Sequence, residues 1–219
     1  MAQAHEICLS CPIDPVPSIC LGVADLTLHE MVGAYSTFPN KGIHTDPIFV
    51  TKIEDKYGNV LATFSPVQNE AISEEVAYQM VGLLQNVVNM VDREAKAYGT
   101  AISLRTRYGR RVPLAGKTGT TNDHADGWFM GFTPELVTGI WVGGDERSIR
   151  FRSFAHGQGA RMAMPVFAYY ITDCIEHKKE LGYTFGDFEK PANWVSPCYG
   201  NSPAPKRSDV NSNDFDDFL

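Results

Sequence analysis

One stretch limits the folds open to this chain more than any other: Pro113-Leu-Ala-Gly-Lys-Thr-Gly-Thr-Thr-Asn122, with Asp126-Gly-Trp-Phe-Met-Gly131 close behind it. Leu114 and Ala115 lead in, and Asn122, Asp123 and Gly127 supply turn chemistry. Residues 128–132 and 136–142 are two further β runs, joined by Thr133-Pro-Glu135. The pattern predicts a three-stranded antiparallel meander whose first strand carries Lys117-Thr118-Gly119-Thr120. One cation, two hydroxyls and a glycine that lets a ligand approach backbone N–H groups suit the holding of an anion. The bland alternative is an exposed lysine among hydroxylated neighbours on a sheet edge.

Two nucleotide motifs fail. Gly116-Lys-Thr118 ends like a phosphate loop, but Arg111 stands where the first glycine belongs, and the chain runs on into a turn instead of a helix. Gly157-Gln-Gly159 opens like a dinucleotide fingerprint, with Met162 at the third glycine position. A net charge of -7, with no basic run longer than Arg110-Arg111 or Lys178-Lys179, argues against a nucleic-acid partner. No apolar run approaches the ~18 residues of a membrane span. Met1-Ala-Gln-Ala-His-Glu6 lacks the basic region of a signal peptide, so the sequence taken by itself reads as soluble and unexported. Among five cysteines, Cys8-Leu-Ser-Cys11 near His5 is an incomplete zinc pattern, and ordinary thiols are the expectation.

Taken in order, Thr27-Leu-His-Glu30 is a capping box for a short amphipathic helix bearing Leu28, Met31, Val32, Tyr35 and Phe38, with His29 on its surface. Residues 48–54 and 60–64 alternate around Lys56-Tyr-Gly-Asn59, a hairpin pattern. Ser73 opens a helix to about Asn89 that would bury Val76, Met80, Leu83, Leu84, Val87 and Val88. Arg105, Arg107, Arg110 and Arg111 form either a solvated loop or an approach for a carboxylate. A Gly-rich turn then precedes a helix over 161–177, with Pro165 in its first turn and Met164, Phe167, Ala168, Ile171 and Ile175 inward. Trp128 and Phe129 are expected to pack the neighbouring strand, and Asp126 to brace the turn. The expected divisions are an irregular start over 1–11, a folded unit over 12–182 and an acidic, poorly ordered tail over 183–219.

Lys-Thr-Gly-Thr is one of three signatures shared by penicillin-binding transpeptidases and serine β-lactamases. The ordered set Gly99-Thr100, Ala115-Gly-Lys-Thr-Gly-Thr-Thr-Asn122, Asp126-Gly-Trp-Phe-Met-Gly131 and Val137-Thr-Gly-Ile-Trp-Val-Gly-Gly144 resembles a class A, high-molecular-weight penicillin-binding protein. Pro15-Val-Pro-Ser-Ile-Cys-Leu-Gly22, Glu30-Met-Val-Gly-Ala-Tyr-Ser-Thr-Phe38 and Asn40-Lys-Gly42 are similar to the same family upstream. Ala101 stands where that family commonly has a second glycine. The resemblance implies part of an α+β (α/β) fold of the penicillin-binding-protein/β-lactamase type, an antiparallel sheet flanked by helices. It implies a D,D-transpeptidase acting on D-Ala-D-Ala stem peptides and bound by β-lactams, at the periplasmic face of the inner membrane. No cofactor or metal is implied. Lys117 would hold charge beside the proton-transfer network, and Thr118 and Thr120 would bind the substrate carboxylate. The Thr120 N–H would form half of an oxyanion hole, and Gly119 and Thr121 would line the peptide's path.

The same family carries its nucleophile in Ser-x-x-Lys and a proton relay in Ser-x-Asn. No serine of this sequence has Lys three places on or Asn two places on. Both motifs are therefore expected upstream of Met1 in an intact protein, with the membrane anchor, the glycosyltransferase domain and the first two of five strands. The chain is read as the C-terminal part of the transpeptidase domain, with the missing N-terminal half as its partner. Alone it should acylate poorly and expose a sheet edge and an apolar face. A non-catalytic peptide or β-lactam clamp, and a piece of a β-lactamase-like hydrolase, are the alternatives.

Overall fold

A computed structural model of the chain describes residues 16–92, 94, 96–108, 112–192, 194 and 195. The His5, Cys8 and Cys11 group, Arg110, Arg111, Cys198 and the start at 1–11 lie outside the described residues, as does the tail beyond 195.

A single 3₁₀ turn, Pro17–Leu21, leads to α1, Leu28–Ser36. The capping box closes as predicted: Glu30 N–H donates to Thr27 Oγ1 at 3.2 Å, and Thr27 N–H donates to Glu30 Oε2 at 2.8 Å. Next come β1 (Ile43–Thr45), β2 (Lys52–Glu54), β3 (Val60–Thr63) and β4 (Gln68–Glu70). Strands β2 and β3 form the expected hairpin, its turn set by Asp55 accepting from Tyr57 N–H and Asn59 N–H at 2.8 and 2.9 Å. The first arm is shorter than 48–54. Phe49, at 88 % exposure, finds no strand to pair with, and the run becomes β only at Lys52. Strand β1 pairs instead with β4, a long-range match that local alternation did not announce.

Helix α2, Glu74–Asn89, starts where Ser73 Oγ accepts from Val76 N–H. Its buried line is Ala77, Val81, Leu84 and Val88, at spacings of four, three and four. This corrects the expected face in part, since Leu84 and Val88 are buried as expected. Val76 and Leu83 are exposed, because the helix carries two apolar stripes and only the one containing the small Ala77 lies against the body. The short β5 (Val91–Asp92), β6 (Ala97–Tyr98) and α3 (Ser103–Thr106) follow.

The meander forms as read: β7 (Ala115–Thr120), β8 (Asp126–Phe132) and β9 (Val137–Gly143), all antiparallel and ordered β7-β8-β9. After it come α4 (Phe154–Gly157), α5 (Gly159–Met162), α6 (Met164–Glu176) and α7 (Lys178–Leu181). The single helix expected over 161–177 is thus two pieces meeting at Ala163. Pro165 has no N–H to continue the ladder from the preceding turn, so the helix restarts with Pro165 in its first turn.

The sheet lies between helices. On one face, Phe129 and the bare Cα of Gly131 receive Phe167 of α6, with Phe129 and Phe167 ring centroids 4.9 Å apart. Leu104, Leu114, Met164, Ala168 and Ile171 complete that cluster. On the other face Gly139 admits α1, a Cβ there falling 2.7 Å from Leu28 Cδ1. A second cluster of Val81, Leu84, Ala115 and Phe132 joins α2 to the start of β7.

Residues 183–190, assigned by composition to the tail, pack on this body. Phe185 is 7 % exposed, and Phe188 meets Phe132 edge-on. Glu135, in the β8–β9 turn, accepts from Thr184 N–H (2.9 Å), Thr184 Oγ1–H (2.7 Å) and Phe185 N–H (2.9 Å). These bonds, the Thr184 hydroxyl first, hold its carboxyl below the usual carboxylate range. A depressed folded pKa contributes stability that is complete above the unfolded carboxylate value and is lost as pH falls through the folded one. Hydrogen-exchange protection of the Thr184 and Phe185 amides is expected to decline from neutral to acid pH. In Glu135→Gln it should be low and nearly independent of pH.

Candidate anion site on the meander edge

Strand β7 has β8 on one side and, among the described strands, no partner on the other. Thr121 N–H donates to Asp126 O at 3.3 Å, one residue past the Thr120–Gly127 pair. Hydrogen-bonded and free residues alternate along an antiparallel ladder, so the backbone groups of Thr118 and Thr120 face the open edge. The lysine bears this out: Lys117 Nζ reaches past its own Cα to donate to Thr118 O at 2.7 Å.

The side chains alternate as well. Thr118 and Thr120 stand over the face that carries Phe129 and Gly127, while Lys117 and Gly119 stand over the other with Met130 and Trp128. Both hydroxyls are held from outside the strand. Thr118 Oγ1 is 2.9 Å from Thr100 Oγ1, and Thr120 Oγ1 accepts from Gly159 N–H at 3.0 Å. Gly159 can come so near only because it lacks a side chain, since a Cβ would sit 2.1 Å from Gly119 O. Lys117 and Thr120 are exposed, and Thr118 and Gly119 half-buried. The two hydroxyls stand on one face, and Lys117 rises from the other but brings its ammonium round to the strand edge, where the outward N–H groups also lie; together these are the donors of an anion grip.

Thr121 is placed differently. Its hydroxyl donates to Asp126 O at 3.3 Å and accepts from Asp126 N–H at 3.1 Å, so it closes the turn. Asp126 braces the far side: its Oδ2 accepts from Trp141 Nε1–H at 3.0 Å and Trp128 Nε1–H at 3.4 Å. The turn itself, with Asp123 and His124 both near φ +60°, is tied to the segment after β9. Arg150 bridges Asp123 at 3.2 Å, and Phe151 N–H donates to His124 O. These clasps and the Thr100 and Gly159 contacts went unread in the sequence; only the Gly99-Thr100 and Gly157-Gln-Gly159 patterns hinted at them.

The predicted basic patch resolves in part. Arg105 is a brace, its Nε donating to Asn89 Oδ1 and its Nη1 to Val112 O, both at 2.7 Å. Arg107 lies over the Tyr108 ring. Among the described residues no group of three His, Cys, Asp or Glu side chains could hold a metal, and no helix is long and apolar enough to cross a membrane.

With this geometry in hand, relatives are decisive. Residues 18–142 match the penicillin binding protein transpeptidase domain. The chain belongs to that family. It is 35 % identical over 171 residues to penicillin-binding protein 1A of Neisseria gonorrhoeae, covering 75 % of this chain and 20 % of the relative. The same protein of Aquifex aeolicus is 35 % identical over 159 residues, covering 73 % and 20 %. The chain therefore spans about a fifth of the length of the curated relatives it matches. Among solved structures, penicillin-binding protein 1A of Haemophilus influenzae superposes with a TM-score of 0.66 at 26 % identity, over 75 % of this chain and 28 % of that one. PonA1 of Mycobacterium tuberculosis gives 0.64 over 96 % and 56 %, at 23 % identity, a likeness of fold. The α+β penicillin-binding-protein architecture read from the motifs is thereby established.

If Arg105 is a brace, Arg105→Ala should cost about 2 kcal/mol in urea unfolding through two lost charge-assisted bonds. Arg107→Ala should stay within about 0.5 kcal/mol, as an exposed substitution does.

Proposed function

We propose that this chain supplies the C-terminal part of a peptidoglycan D,D-transpeptidase, with β7 gripping the terminal carboxylate of a D-Ala-D-Ala stem peptide. The observation that carries the reading is the joint presentation of Lys117, Thr118 and Thr120 at a strand edge with no partner among the described strands. Lys117 places positive charge where the carboxylate, or the one of a β-lactam that mimics it, would lie. The Thr118 and Thr120 hydroxyls donate to it, and Thr121 keeps the strand end in register. The peptide lies along β7 as an added strand, over the bare Gly119. The outward Thr120 N–H is half of the oxyanion hole, and losing one such donor costs on the order of 3 kcal/mol of transition-state stabilisation.

In serine acyl transfer a hydroxyl attacks the penultimate carbonyl, its proton passes to a base, and the terminal D-Ala leaves as the amine. This sequence holds neither Ser-x-x-Lys nor Ser-x-Asn, so the attacking serine and its relay belong to the other half of the domain. Strand β9 pairs only with β8 among the described strands, and its Trp141, with Phe151 and Phe154 just beyond, is exposed. This is the edge the other half would cover. The portion of the transpeptidase domain assigned to 12–182 then gains the packed stretch from 183 to the buried Pro191, and Trp194, which meets Tyr78 edge-on. The assembled domain would work at the periplasmic face of the membrane.

One second reading has a specific observation behind it: without a Ser-x-x-Lys serine, the chain by itself is a reversible clamp. A fluorescent penicillin should leave no label that survives boiling, and such a label would overturn the assignment of the nucleophile elsewhere. Calorimetry with an N-acylated peptide ending in D-Ala-D-Ala should give reversible binding. Lys117→Ala should weaken it by roughly tenfold, the worth of a charged hydrogen bond. Equal binding by wild type and Lys117→Ala would remove the carboxylate site.

A further inference from the structure

Thr100 makes no part of β7, yet its hydroxyl lies 2.9 Å from that of Thr118, eighteen residues on. Its place is set rigidly. Helix α2 ends against the segment that carries it: Gly99 N–H donates to Met90 O at 3.0 Å and Ala101 N–H to Val87 O at 2.9 Å. At Gly99 a Cβ would stand 2.3 Å from Val87 O, so only glycine lets the segment sit on the helix end. Ala101 is fully buried in the main cluster. Thr100 is therefore pinned on both sides, with its hydroxyl aimed at β7.

A threonine hydroxyl has one proton to donate and lone pairs to accept with. At Thr120 the roles are fixed. Gly159 N–H can only donate, so it consumes acceptor capacity on Thr120 Oγ1 and leaves the hydroxyl proton for another acceptor. Between Thr100 and Thr118 either oxygen can be the donor. When an anion sits on the strand beside Lys117, the Thr118 proton points to the anion and Thr100 must donate to Thr118.

We propose that Thr100 is a positioning residue for the anion grip: it turns the Thr118 hydroxyl so that its proton faces the ligand carboxylate, as the Gly159 amide does for Thr120. This rests on the reading of β7 as a carboxylate site. Thr100 contacts no ligand itself and acts through Thr118.

The test compares two N-acylated peptides, one ending in D-Ala-D-Ala carboxylate and one in the carboxamide, titrated into the full chain by calorimetry. Wild type should prefer the carboxylate. Thr100→Val, nearly isosteric and exposed, should reduce that preference by about fivefold, the worth of one hydrogen bond, while Thr100→Ser restores it to within about twofold. The effect should vanish in a Thr118→Val background, because the path runs through that hydroxyl. Should Thr100→Val prove unstable, Thr100→Ala is read by the same ratio. An unchanged ratio in Thr100→Val, or an equal loss with and without the Thr118 hydroxyl, overturns the positioning role and leaves the carboxylate site intact. If wild type itself fails to separate the two peptides, the carboxylate site falls and takes the positioning role with it.

Discussion

The structure turns on the seam where α5 meets the meander. Gly159 presses its backbone against Gly119 and Trp128 and donates its amide to Thr120, and Gly127 lies bare beneath Met162 and Gly159. With glycines on both sides of the contact, sheet and helix pair are fixed at backbone distance there, and interiors packed this closely do not yield by small degrees. That seam sets the height of β7 relative to α6. Phe167 then locks the next turn onto Phe129 and Gly131.

Much of this could be read from the residues because the signals were local. Thr27 and Ser73 cap helices by reaching three residues along the chain, and the Asp55 turn closes its hairpin within four. The meander followed from alternation and turn chemistry, and its register places Thr118 and Thr120 together as period two demands. What could not be read joins distant segments. The Glu135 clasp on Thr184, 49 residues away, turned an expected tail into part of the body. The offset of the buried line on α2 depends on which of two adjacent apolar stripes meets β7, and helical period alone cannot choose between them. Pro165 does sit in a first turn, as expected, but of a helix that begins at Met164, and it is this that makes the break at Ala163.

Chemistry is divided along the fold. On the proposed reading, the chain holds the groups that would recognise and stabilise negative charge, on a strand supported from both faces. No serine of this sequence stands in the Ser-x-x-Lys pattern that reading requires of the attacking group. An anion grip needs no nucleophile to be preorganised. The side chains it would use are held by contacts with Thr100, Gly159 and the turn at Thr121, all within this chain. Preorganised dipoles contribute most when they need no rearrangement at the moment of reaction.

Lys117, folded back onto the Thr118 carbonyl, has one more consequence. A bare strand border is an invitation to wrong pairing between molecules, and a charged side chain laid across it is a common defence. Here the ammonium itself occupies the main-chain acceptor that an intruding strand would need. The edge is thus guarded against self-association by the very group that, on the proposed reading, would bind the ligand. Only an incoming chain that brings a compensating negative end gives the lysine a reason to let go.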